Sequence, residues 1–74
     1  MSHSTLDARN LNCPLPILRT RKALNGLANG DTLEVLATDP GSVKDIDSFC
    51  KQTGNTLIST NEQQGQYNFV IRKN

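Results

Sequence analysis

The chain has 74 residues, of which 35% are apolar and 20% charged, and its formal net charge is +1. A single domain of this size buries only about 60% of its unfolded surface, which excludes a deep substrate cavity and a large enclosed cofactor. Eight Lys+Arg against seven Asp+Glu argue against a general polyanion binder, and two cysteines with one histidine are too few for a zinc site built by this chain alone.

Residues 4 to 8, Ser-Thr-Leu-Asp-Ala, read as a short strand, with His3 in a tail ahead of it. The first seven residues have neither the basic start nor the apolar run of a secretory signal. No stretch approaches the roughly 20 apolar residues of a membrane span, so no membrane association is expected. The expected location is cytoplasmic, with both thiols reduced rather than joined in a disulfide. Arg9-Asn10-Leu11-Asn12 is a loop whose two asparagines tolerate left-handed backbone. Cys13-Pro14-Leu15-Pro16 then opens a helix running to Leu27. In it Ile17, Thr20, Leu24 and Leu27 fall on one line at spacings of 3, 4 and 3, while Arg19, Arg21 and Lys22 lie mostly away from that line.

Thr32 to Thr38 alternates as a strand does. Leu33, Val35 and Ala37 point one way, and Glu34, Leu36 and Thr38 the other, with Leu36 marking the second face as not fully wet. Asp39-Pro40-Gly41-Ser42 is a helix start, with Asp39 or Ser42 as the capping side chain. Val43, Ile46, Phe49 and Cys50 form the apolar stripe of this second helix, and Gly54 ends it. Residues 55–61 and 66–72 read as two strands joined by a short link, hence an antiparallel hairpin. The order βαβαββ, with right-handed crossovers, gives an α/β (α+β) two-layer sandwich. It has a four-stranded mixed sheet with two helices on one face, and residues 1–74 form a single domain. The other sheet face is left to solvent or to a partner.

Cys13 carries the chemistry. It stands at or just before a helix N-terminus, where the helix dipole lowers a thiol's pKa and the thiolate becomes an available nucleophile. Pro14 and Pro16 stiffen the turn, in the one part of a helix where a missing N–H costs nothing. Between Ala8 and Gly30 the four charged residues Arg9, Arg19, Arg21 and Lys22 are all basic, so the near-zero net charge conceals a basic patch around or behind Cys13. Three alternatives weigh less. An inert buried cysteine is uncommon at a loop-to-helix junction, a dithiol pair is excluded because position 16 is proline, and a Cys-His hydrolase lacks its histidine. A single thiolate without a local base suits accepting a group, a persulfide for example, and passing it on.

The run Leu6-Asp7-Ala8-Arg9-Asn10-Leu11-Asn12-Cys13-Pro14-Leu15-Pro16 resembles the D-x-R-G-L-x-C-P-x-P signature of the TusA/SirA-like sulfur-carrier family. The resemblance continues through Asp39-Pro40, through Phe49-Cys50 with Gly54, and through the closing Tyr67-Asn68-Phe69-Val70-Ile71-Arg72. Asn10 stands where the family usually has glycine, and asparagine is the substitute best able to keep a positive φ. The resemblance implies the βαβαββ sandwich and a carrier with little turnover of its own. The cysteine matching Cys13 takes sulfane sulfur as a persulfide from a desulfurase or rhodanese-like donor protein. It relays the sulfur to an acceptor protein, for tRNA thiolation or for oxidative sulfur metabolism. No cofactor or metal is expected, and the expected state is a monomer.

The other candidates divide between supporting and structural roles. Arg9 either steadies the thiolate or is a structural arginine, and Asp7 is expected to form a hydrogen bond or ion pair. Arg19, Arg21 and Lys22 are a solvated helix face or a docking surface for an acidic partner. Cys50 is a packed core thiol or an auxiliary one. The alternative function is a nucleic-acid-binding or regulatory module with an incidental thiol. Direct nucleic-acid binding is disfavoured, because Phe49, Tyr67 and Phe69 give no sign of a stacking platform.

Overall fold

The computed structural model describes residues 3–12 and 15–74; Cys13 and Pro14, the centre of the sequence motif, lie outside the described residues. The alternation in the middle of the chain builds the central strand β2 (Thr32–Ala37), in which Leu33, Val35 and Ala37 are buried and the intervening side chains are half-buried. β1 (His3–Ala8) pairs with it in parallel, Leu6 opposite Val35 and Ala8 opposite Ala37. His3 is therefore part of the edge strand rather than a tail, and its Nδ1 lies 2.7 Å from the Thr32 hydroxyl.

On the other side of β2 lies β4 (Gln66–Arg72), antiparallel, with Phe69 opposite Val35. β3 (Thr56–Gln63) closes the sheet as the second edge, giving the order β1-β2-β4-β3. The hairpin between β3 and β4 is tighter than the sequence indicates. Gln63 pairs with Gln66, and the two-residue link has φ 52° at Gln64 and 79° at Gly65, the double positive φ of a type I′ turn. A register shift between Leu57 and Ser59 bulges the β3 edge and leaves Ile58 exposed.

α1 (Leu15–Asn25) packs on β1 and β2, and α2 (Ser42–Thr53) packs on β3 and β4. The two helices touch each other, so both cover the same face and bury Leu33, Val35, Phe69 and Ile71 beneath them. α1 ends two residues before Leu27, which instead closes the following turn through its N–H to the Leu24 carbonyl. Thr20, on the apolar line of α1, is fully buried, and its hydroxyl donates to the Pro16 carbonyl at 2.7 Å, so no polar group is stranded.

Two expectations for α2 need correction. Its buried face runs through Ser42, Ile46, Phe49 and Cys50, while Val43 is exposed. Position 42 lies four residues before Ile46, so the helix turn carries the small serine inward and the valine outward. Neither Asp39 nor Ser42 caps the helix. The N-cap residue is Gly41 without a side-chain bond, and Asp39, two residues before it, accepts the Gly41 N–H through Oδ1 at 3.1 Å. Gly54 does end the helix as expected, in the left-handed region at φ 75°, with its N–H bonded to the Cys50 carbonyl. No helix among the described residues is long and apolar enough to cross a membrane.

Candidate functional site

Because β1 and β2 run in parallel and in register, they end side by side. Each is followed by a loop into a helix N-terminus, the edge where open sheets place their ligands. The loop after β1 carries the cysteine motif, and three contacts brace its described residues. Asp7 accepts from the Arg9 backbone N–H at 3.1 Å, from Nε at 2.9 Å and from Nη2 at 2.8 Å. Asn10 takes φ 64°, and its N–H donates to the Thr38 hydroxyl at 2.9 Å, tying this loop to the one after β2. The Leu15 N–H donates to the Asn12 carbonyl at 2.8 Å, which joins the two residues flanking Cys13 and Pro14. The left-handed backbone read from the asparagine is thus present at position 10.

Asp7 has the ion-pair role expected of it. The Arg9 side chain beside it holds its carboxyl down to about 2, and Asp7 in turn raises the Arg9 pKa. Both groups are exposed, so this pair orients the loop more than it stabilises the fold. The arginine considered as a support for the thiolate is therefore engaged by a carboxylate at the end of β1, through two of its side-chain N–H groups.

The three basic residues of α1 do not form one surface. Arg21 lies over the Phe49 ring, 5.5 Å from its centroid, and faces α2. Lys22 is exposed, while Arg19 lines a cavity of about 320 Å³ with Asp7, Arg9, Asn10, Leu11 and Thr38. Sequence reasoning missed Leu15 and Leu18, which are 44% and 53% exposed on the outer side of the same helix. Their positions off the Thr20–Leu24 line were the available signal. Thr38 was missed as well, and its partner Asn10 is too far away in sequence for spacing to reveal the contact.

Cys50 is 2% exposed within the core cluster, among Leu24, Ile46 and Phe49. Burial, with a smaller contribution from the nearby Asp47 charge, pushes its thiol up to about 11. Its placement supports the packing reading over the auxiliary one. The aromatics are likewise internal: Phe49 and Phe69 are buried, and Tyr67 stacks on Phe69 at 6.5 Å from the helix-facing side. No aromatic platform for bases exists on the open sheet face among the described residues.

Comparison with known proteins bears on this arrangement. The family model described as sulfurtransferase TusA matches residues 4–73. A sulfur carrier protein TusA of Allochromatium vinosum is 59% identical over 68 residues, covering 92% of this chain and 90% of its own. The sulfur carrier protein TusA of Pseudomonas entomophila is 44% identical over 70 residues, covering 95% of this chain and 88% of its own. Among solved structures, the crystal structure of a SirA-like protein from Desulfitobacterium hafniense matches with a TM-score of 0.84 and 27% identity. That match covers 93% of this chain and 95% of the other.

Proposed function

The chain belongs to the TusA sulfurtransferase family, and we propose that it is a sulfur carrier that holds sulfane sulfur as a persulfide on Cys13. The observation that carries the choice of cysteine is the burial of Cys50. Of the chain's two cysteines, Cys50 is enclosed in the core with its thiol held protonated, which leaves Cys13 as the acceptor. In the transfer the Cys13 thiolate attacks the outer sulfur of a donor protein's persulfide. The S–S bond of the donor breaks, its own sulfur leaves as a thiolate, and Cys13 becomes Cys–S–SH once a proton is taken up. No external oxidant is needed, because sulfane sulfur moves between two thiols at constant oxidation level. Delivery to the acceptor protein repeats the step in the opposite sense.

Pro14 and Pro16 stiffen the turn around the thiol, and Pro16, buried in the first turn of α1, anchors that turn to the core. The donor and acceptor supply the remaining chemistry, in keeping with a site that has no histidine near the loop. They dock on the outer side of α1, where Arg19 and Lys22 flank the exposed Leu15 and Leu18. Arg21, stacked on Phe49, serves that surface by fixing α1 against α2.

The test is intact-protein mass after incubation with a persulfide donor. One sulfur atom adds about 32 Da. The gain is expected in the native chain and in Cys50→Ala, reversed by reductant, and absent in Cys13→Ser. Normal loading of Cys13→Ser overturns the assignment.

A further inference from the structure

The cavity beside the cysteine loop has a chemical bias that the carrier role does not by itself require. Its lining includes two arginines, Arg9 and Arg19, and one acidic residue, Asp7. Both Asp7 oxygens are engaged by Arg9 at 2.8 and 2.9 Å, so the carboxylate's charge is paired although the side chain is exposed. Arg19 has no ion pair or hydrogen bond among the described residues. Thr38 accepts the Asn10 backbone N–H through its hydroxyl oxygen, which leaves the hydroxyl hydrogen free to donate. The Asn10 carboxamide likewise has no hydrogen-bond partner among the described residues. The polar groups left for a ligand are thus mainly donors, and the remaining full charge is positive.

We propose that this cavity, at Arg19, Asn10 and Thr38, is an oxyanion subsite beside the cysteine loop. The inference deepens the carrier reading and rests on it: an anion held here abuts Leu11, which two peptide links join to Cys13. The planar fork of Arg19 suits two oxygens of one anion, and the Thr38 hydroxyl supplies a third donor from the neighbouring loop. Two sources share this chemistry: a carboxylate side chain carried in by the docking protein, or a small inorganic oxyanion from solution. The cavity is open to solvent and admits either.

The experiment is an amide and guanidinium NMR titration of the reduced, sulfur-free protein. Sodium sulfate and sodium acetate are titrated separately, each against sodium chloride at constant ionic strength. Saturable shifts are expected at Asn10, Leu11, Thr38 and the Arg19 Nε–H. Arg19→Gln should weaken them at least about tenfold, the loss of one charge-assisted bidentate contact. Lys51→Gln, a cation at the far end of α2, should leave them unchanged. A response to sulfate alone assigns the subsite to a free oxyanion, and a response to acetate assigns it to a carboxylate; both support it. Shifts that do not saturate, that spread evenly over the surface lysines, or that persist in Arg19→Gln overturn it. Mass loading of Cys13 in the same preparation separates the two ideas. Loading without an anion response removes the subsite and keeps the carrier. An anion response without loading keeps the subsite and removes the carrier.

Discussion

In a Cys13→Ser variant, Cys50 is the remaining thiol, and its alkylation rate reports how firmly the core holds it. The thiol rises from an ordinary 9.0 to about 11 in the fold. Between pH 7 and 8 that rise leaves about one hundredth of the thiolate present in the unfolded chain. The side chain is only 2% exposed, so the little thiolate that forms also meets steric exclusion. Iodoacetamide should therefore modify Cys50 at least about 100-fold more slowly in buffer than in denaturant.

The same rise makes a statement about stability. Above pH 9 the unfolded chain loses its Cys50 proton while the folded chain keeps it. The contribution is thus fully present below about pH 9 and is lost as pH climbs towards 11, with a ceiling of about 3 kcal/mol. Urea midpoints measured from pH 8 to 10 should fall more steeply in the native chain than in Cys50→Ala. Alkylation of folded Cys50 within a factor of ten of the denatured rate, or identical pH slopes in the two chains, would refute the closed-core reasoning and restore Cys50 as an auxiliary thiol.

Asp7 should titrate near 2 when followed by its carboxyl NMR signal, and Arg9→Gln should return it towards its ordinary 3.8. The pair's contribution is present above that ordinary value and lost as pH falls through about 2, so a midpoint near 4 in the native chain contradicts the bidentate contact. Gly54→Ala should cost about 1–2 kcal/mol in a urea melt at unchanged m value, the price of a left-handed alanine. An added Cβ there meets nothing within 4 Å, so a larger loss would mean a contact the structure does not contain, and no loss would contradict the φ of 75°.

The sheet was legible wherever side-chain alternation meets a one-sided core. Leu33, Val35 and Ala37 are buried as a set because a strand has only two faces and the helices cover one of them. Helical stripes are less sharply defined. A shift of one residue rotates a side chain by about 100°, so Val43 and Ser42 trade places without disturbing Ile46, Phe49 or Cys50. The left-handed turn at Asn10 was readable from residue type, because few side chains other than asparagine tolerate it. The cavity beside the loop was not readable. Asn10 reaches Thr38 across 28 positions, and Arg19 joins them from a helix, so three chain segments meet through topology alone. Charge counting also erred in treating α1 as a uniform basic face. Arg21 has an aromatic partner on α2 that composition could not reveal, and only Arg19 and Lys22 remain for the outer surface.

The bracing of the cysteine loop bears on how a carrier meets successive partners. Its described residues are held by an ion pair from Asp7 of β1 to Arg9 of the loop, by a cross-loop bond from Asn10 to Thr38, and by the Asn12–Leu15 bond that flanks the cysteine. None of these contacts is deeply buried, so their global stabilisation is small. Their effect is to restrict the described residues on either side of the motif before any partner arrives. Ordering an interface loop on docking costs about 0.5–1.5 kcal/mol per immobilised side chain, and a loop ordered during folding avoids that cost at every encounter. A carrier must bind its donor and then leave it for an acceptor, so it gains more from a pre-ordered loop on a small surface than from a large, tight interface. On the docking face proposed above, the exposed Leu15 and Leu18, on the same helix as the exposed Arg19 and Lys22, would meet that requirement: a small apolar contact beside basic side chains lets charge speed association and lets the complex come apart.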